Sequence, residues 1–107
     1  MECIFCKIIK KEAPAKIVYE DKDFIAFHDI NPKAKVHILV LPKRHIVSVA
    51  DLKEEDENLI GGVILTAKKI AEEQQLKGYK LIINVGREGG QIIDHLHLHL
   101  LSGDYNG

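Results

Sequence analysis

Three histidines alternate with leucines in the string HLHLHLL near the end of this chain, at His95, His97 and His99, and a fourth, His37, sits in the apolar stretch KVHILVLP. A histidine near its ordinary pKa of ~6.5 is mostly neutral at pH 7 and offers a lone pair to a metal or to an electrophile. Each ring also needs a donor and an acceptor placed around it, so three in strict alternation are costly to bury as mere core. Two chemistries fit. A His-x-His pair can chelate a transition metal and leave an open position for water. Alternatively, a neutral imidazole whose other nitrogen is held by a hydrogen bond is a nucleophile toward phosphorus. Spacing alone does not choose between them. At the other end of the chain Cys3 and Cys6 form a C-x-x-C pair, which in a reducing compartment binds metal or does redox chemistry rather than forming a permanent disulfide. The string GREGG, residues 86–90, would let backbone N–H groups approach a phosphate, although such a string is commonly just a hairpin turn.

The elements that must position these residues follow from periodicity. Ile4, Phe5, Ile8 and Ile9 recur at helical spacing, so residues 3–10 form a short helix that places Cys3 and Cys6 one turn apart, and Pro14 prevents its continuation. KIVYE, DFIAFHDI and KVHILVLP read as strands, bounded by Asp21, Pro32 and Pro42, in an antiparallel meander. Residues 54–76 carry Leu59, Val63, Ile64, Ala67, Ile70 and Ala71 on one face of a long helix, with Gly78 as its C-cap. Gly61 and Gly62 inside it cost roughly 1 kcal/mol each against Ala, which a close approach by another backbone would explain. KLIINVG and HLHLHLL read as two further strands around the glycine-rich loop. In a strand the three histidines would stack on one face about 6.5 Å apart, with Leu96, Leu98 and Leu100 on the other. The whole is expected as one α+β domain, residues 1–107, with a mostly antiparallel sheet.

Composition narrows the partner. The 107 residues are 46% hydrophobic and 29% charged, ordinary for a folded domain. A net charge of -1, from 15 basic and 16 acidic residues, argues against a general grip on a nucleic-acid backbone and for a small nucleotide if any is bound. The chain has no long apolar run, and its start places charge on both sides of a short apolar patch, unlike a signal peptide. We therefore expect no membrane partner and a cytoplasmic location.

HLHLHLL follows GGQ and an upstream INVG, and the stretches IFCKIIKKEAPAKIVYED and AFHDINPKAKVHILVLPKRHI complete a pattern that resembles the histidine triad superfamily, in particular its Hint branch. The resemblance covers nearly the whole chain and implies a fold with a five-stranded sheet, one long helix and a short N-terminal one. It implies hydrolysis of a nucleoside 5′-phosphoramidate, or a related conjugate, through a nucleotidyl-histidine on His97; the alternatives are a nucleotide-binding or interaction module with little turnover and a dinucleoside polyphosphate hydrolase. His99 would contact the phosphate and leaving group, His37 would support it, and Asn84 would donate to a phosphate oxygen or leaving amine. By the same resemblance the nucleoside lies against Ile4, Phe5, Phe27 and Ile30 with its ribose hydroxyls on Asp29, and Gly90 and Gln91 lie at the phosphate. Cys3, Cys6, His45 and His95 match the ligands of a structural zinc, a donor set suited to tetrahedral coordination, and no catalytic metal is implied. The resemblance also implies a homodimer. Three positions depart from the pattern: Ile92 stands where a Ser or Thr is common, Asp94 replaces an aromatic or apolar residue, and the chain ends at SGDYNG, short of the longer tail of many relatives.

Overall fold

Nine residues, Ala34–Pro42, form the central strand β3 of the computed structural model, which describes residues 3–105. In chain order the elements are α1 (Ile4–Ile9), β1 (Ile17–Glu20), β2 (Phe24–His28), β3, α2 (Glu57–Glu73), β4 (Lys80–Ile82) and β5 (Leu98–Tyr105). The five strands make one antiparallel sheet in the order β1-β2-β3-β5-β4. This is the α+β architecture expected from the sequence. No helix among the described residues is long and apolar enough to cross a membrane.

The two-residue period of the strands divides the sheet into two cores. Ala26, Ile38, Val40, Leu98 and Leu100 face α2, where they meet Val63, Ala67, Ile70 and Ala71. Ile25, Phe27, Leu39 and Leu41 point to the other face and pack on Phe5 and Ile8 of α1. Each large aliphatic or aromatic side chain buried in this way stabilises the fold by roughly 1.5–3 kcal/mol. His37 and His99 belong to the α1 face, opposite α2.

Both helices end differently from expectation. After α2, Gln75 takes a left-handed φ of 57°, Gln75 N–H donates to the Glu72 carbonyl at 3.0 Å, and Leu76 N–H to the Ala71 carbonyl at 3.0 Å. This Schellman closure finishes the helix three residues before Gly78, with a glutamine accepting the strained position. Lys11, at φ 65°, closes α1 in the same way ahead of Pro14. The start of the long helix is also tighter, because residues 54–56 form a 3-10 turn before α2 begins at Glu57. At Gly62 a Cβ would lie 2.3 Å from the Phe24 ring, so what approaches this glycine is a side chain of β2 rather than a backbone, while Gly61 faces open space.

Two strands are shorter than their apolar patterns. β4 stops at Ile82, leaving Asn84 beyond it, and β5 begins only at Leu98. His95 and His97 therefore precede the sheet ladder. The first strand pair between β3 and β5 is Val40 with Leu98, and upstream of it the chain is held by a bond from Leu96 N–H to the Ile46 carbonyl at 2.7 Å.

Candidate active site and metal centre

The β3 and β5 register sets Leu39 opposite His99 and His37 opposite Leu101, so His37 and His99 are diagonal neighbours on the α1 face. Side chains related this way reach each other when they are long or aromatic. Here His37 Nε2 and His99 Nδ1 are 2.9 Å apart. The direction of that bond is set by the backbone: Lys33 N–H donates to His37 Nδ1 at 3.1 Å, so in the neutral ring the proton is on Nε2. His37 then donates to His99 Nδ1, which leaves His99 with its proton on Nε2. Asp29, just past β2, holds Oδ2 3.4 Å from His37 Nε2, while its Oδ1 accepts from Asn31 N–H at 2.8 Å.

His97 lies beside this pair, its ring centre 5.0 Å from that of His99. Its Nδ1 donates to the His95 carbonyl at 2.6 Å, which puts the lone pair on Nε2. Phe5 of α1 packs its ring edge-on against His97 at 5.0 Å and against Phe27 at 5.4 Å. Burial lowers the pKa of His97 and of His37, in each case against the opposing pull of Asp29. His99 is pushed down to about 4, chiefly by burial and then by the neighbouring His97 and His37. All three rings are neutral at pH 7, as a nucleophile and its supports require.

Of the residues assigned to a nucleoside pocket, Phe5 is buried against His97 and Phe27 is buried against Phe5, whereas Ile4 and Ile30 are exposed, Ile30 at 89%. Ile92 is exposed as well, at 79%. Asn84 is half-buried, its amide about 4 Å from where a Cβ on Gly90 would stand. The GREGG loop differs from the open cradle expected of it. Gly86 and Gly90 take positive φ of 71° and 88°, and the N–H groups of Gly89, Gly90 and Gln91 all bond to carbonyls within the loop. Gln91 is buried: its amide donates to the Val47 carbonyl at 2.6 Å and the Ile93 carbonyl at 2.9 Å and accepts from Gly86 N–H at 2.9 Å. Its side chain ties the loop to the segment after β3. Asp94, unusual in the sequence pattern, pairs with Arg87 at 2.8 Å, and the same guanidinium donates to the Gln91 carbonyl at 2.6 Å. The loop's one cation is therefore already engaged.

On the far side of His97 the four expected metal ligands come together. Cys3 Sγ, Cys6 Sγ, His45 Nδ1 and His95 Nδ1 are separated by 3.0 to 3.8 Å in all six pairs. A tetrahedron with Zn–S near ~2.3 Å and Zn–N near ~2.0–2.1 Å has edges of roughly 3.3–3.8 Å, and two thiolates with two imidazoles are a common zinc donor set. The residues fit the group. His95 is prepared for it, because Nε2 donates to the Pro42 carbonyl at 2.8 Å and Nδ1 is left as the free lone pair. Asp29, His37 and His99 make a second cluster of possible ligands, but the proton that Lys33 forces onto His37 Nε2 faces that cluster and opposes metal binding there.

The groups that sequence reasoning missed are the carbonyls of Pro42 and His95 and the N–H of Lys33. Backbone groups carry no residue signature, so only the folded geometry reveals them.

Comparison with known proteins places this geometry. A family model described as "Scavenger mRNA decapping enzyme C-term binding" matches residues 2–107. An uncharacterised HIT-like protein of Synechococcus elongatus is 48% identical over 103 residues, 95% of this chain and 90% of that one. Protein HitA of Neisseria gonorrhoeae is 46% identical over 100 residues, 92% and 94% of the two chains. Among solved structures, a HIT family hydrolase from Legionella pneumophila superposes with a TM-score of 0.94 at 43% identity, covering 99% of this chain and 100% of that one. A histidine triad protein from Clostridium difficile gives 0.93 at 42%, with 97% and 92% covered, and a histidine triad nucleotide-binding protein from Candida albicans gives 0.80 at 32%, with 98% and 78% covered. With its alternating histidines on the face that carries their partner His37, and with relatives matching over nearly their full lengths, the chain belongs to the histidine triad family.

Proposed function

We propose that this protein is a nucleotide hydrolase of the Hint phosphoramidase type, cleaving nucleoside 5′-phosphoramidates or related conjugates through a nucleotidyl-His97 intermediate. The observation that carries the reading is the 2.6 Å bond from His97 Nδ1–H to the His95 carbonyl, which leaves a neutral Nε2 as the attacking atom. The names of the Legionella hydrolase and the Candida nucleotide-binding protein support the coarser part of the reading, a hydrolase that binds nucleotides.

In this mechanism His97 Nε2 attacks the α-phosphorus and forms a P–N bond to the ring. The original P–N bond breaks as its nitrogen takes a proton from solvent and leaves as an amine, and the water that later attacks phosphorus returns a proton to solvent. The His99 Nε2–H, oriented by His37, holds a phosphoryl oxygen or the departing atom as charge develops, and Asn84 donates to a phosphate oxygen or the leaving amine. Water then attacks phosphorus, the bond to Nε2 breaks, and the nucleoside monophosphate leaves with His97 neutral again. The nucleoside rests against Ile4 and Ile30 over the buried Phe5 and Phe27, with Asp29 accepting from the ribose hydroxyls, and Gly90 and Gln91 shape the phosphate end. No catalytic metal is required, which agrees with the tautomer that Lys33 imposes on His37. A zinc ion at Cys3, Cys6, His45 and His95 would be structural. We further propose a cytoplasmic homodimer that joins through β4 and α2 and acts on small nucleotides rather than on polymers or membranes.

The test is kinetic. His97→Ala should abolish turnover of adenosine phosphoramidate while nucleotide binding persists, and wild-type protein quenched during turnover should carry a nucleotidyl group on His97 by mass spectrometry. The value of kcat/KM for adenosine phosphoramidate should exceed that for diadenosine tri- and tetraphosphate, with or without Mg²⁺. A preference for a polyphosphate would overturn the substrate assignment, and a His97→Ala variant with substantial turnover would overturn the mechanism.

A further inference from the structure

His95 faces two ways. Its ring nitrogen Nδ1 belongs to the four-donor cluster with Cys3, Cys6 and His45, and its carbonyl accepts the Nδ1–H of His97 at 2.6 Å. Both residues precede β5, so no ladder bond between β3 and β5 fixes the direction of that carbonyl. The peptide around it is held by three other contacts. The ring donates through Nε2 to the Pro42 carbonyl, His95 N–H donates to the Ile93 carbonyl at 2.9 Å, and Leu96 N–H donates to the carbonyl of Ile46, the neighbour of His45.

A second connection runs through α1. Phe5 lies between Cys3 and Cys6 in sequence, and its ring meets His97 at 5.0 Å and His95 at 6.2 Å. Fixing the two cysteines to His45 and His95 therefore fixes the ring that packs against the nucleophile. α1 is only six residues long, too short to hold its place by helix formation alone.

We infer that Cys3, Cys6 and His45 are positioning residues for the nucleophile: with a cation held between them and His95, they would set the His95 carbonyl and the Phe5 ring, and through them the tautomer and orientation of His97. The centre thus does more than staple the fold, since it decides which nitrogen of His97 faces the phosphorus. The inference rests on the reading of His97 as nucleophile, but its first readout does not.

That readout is the ¹⁵N spectrum of the histidine side chains in full-length protein loaded with Zn²⁺. His97 should show a single Nδ1–H tautomer. In the Cys3→Ser, Cys6→Ser variant, and in His45→Ala, which changes one exposed ligand and should still fold, the His97 signals should move toward a mixture of tautomers. For adenosine phosphoramidate the expected split is a fall in kcat of roughly tenfold or more, with KM within about twofold, the range seen when a group that orients a ligand is lost. Ile70→Val, which loosens the core on the opposite face of the sheet, serves as a stability control and should leave both tautomer and kcat in place. An unchanged His97 tautomer in both ligand variants, with only thermal stability reduced, would overturn the inference. If His97→Ala proves active, the functional reading fails instead, and the tautomer shift still decides this one.

Discussion

A histidine's chemistry depends on which nitrogen carries its proton, and backbone groups set this for four rings of the molecule. Lys33 N–H sets His37, and through it His99, while the His95 and Pro42 carbonyls set His97 and His95. Burial then keeps the rings uncharged, with His99 at about 4. An unfolded histidine titrates near ~6.5, so between these values the unfolded chain binds more protons and stability rises with pH. Above that window the contribution of His99 is constant. The urea midpoint should thus fall as pH drops below ~6.5 and continue to fall toward pH ~4, and His99→Gln should flatten the slope. An identical slope in the variant would mean that other groups govern acid sensitivity.

At the scale of elements, α1 and α2 are joined to the sheet by different means. α1 buries little besides Phe5 and Ile8, so its attachment depends on the cysteine ligands. Protein purified without added metal should contain about one zinc per chain, and Cys3→Ser with Cys6→Ser should remove it and lower the melting temperature, as measured by elemental analysis and calorimetry. An unchanged metal content would show that these four residues are not the site. α2 relies on shape. Alanine at Gly62 would gain roughly 1 kcal/mol in helix propensity, but its Cβ would overlap the Phe24 ring. Displacing a packed ring costs typically ~1–3 kcal/mol. We expect Gly62→Ala to be less stable than wild type in urea denaturation, against the propensity scale.

For the whole molecule, the sheet ends in β4, whose three residues are all exposed, and α2 presents Ile64 and Leu65 to solvent, Leu65 at 65%. An exposed strand edge beside apolar side chains is a template for pairing with another chain. Sedimentation should report a homodimer, and Leu65→Glu combined with Leu81→Glu should shift it to monomer. A wild-type chain that stays monomeric at micromolar concentration would exclude the proposed pairing.

The sequence by itself determined the elements and their sidedness. The branched and apolar content of KVHILVLP and the helical period within residues 54–76 depend only on residue type, and these local signals survived folding as β3 and α2. The histidine string pointed to a site, because so many rings demanding partners are not tolerated without a use, and its resemblance to the family rested on the string together with GGQ, INVG and the upstream stretches. The tertiary structure decided the rest. Strand ends moved, with β5 starting at Leu98 rather than His95, because the chain before Leu98 bonds elsewhere, Leu96 N–H to the Ile46 carbonyl and the His95 ring to the Pro42 carbonyl. Gln75 and Lys11 closed the helices that Gly78 and Pro14 had been expected to end, since closure depends on φ and on carbonyl contacts that many residues can make. Gln91 turned inward to the carbonyls of Val47 and Ile93, and Asp94 found Arg87. The tautomers of His37, His95, His97 and His99 were invisible in the sequence, because each is imposed by a backbone group or a ring that only the fold brings within hydrogen-bonding distance.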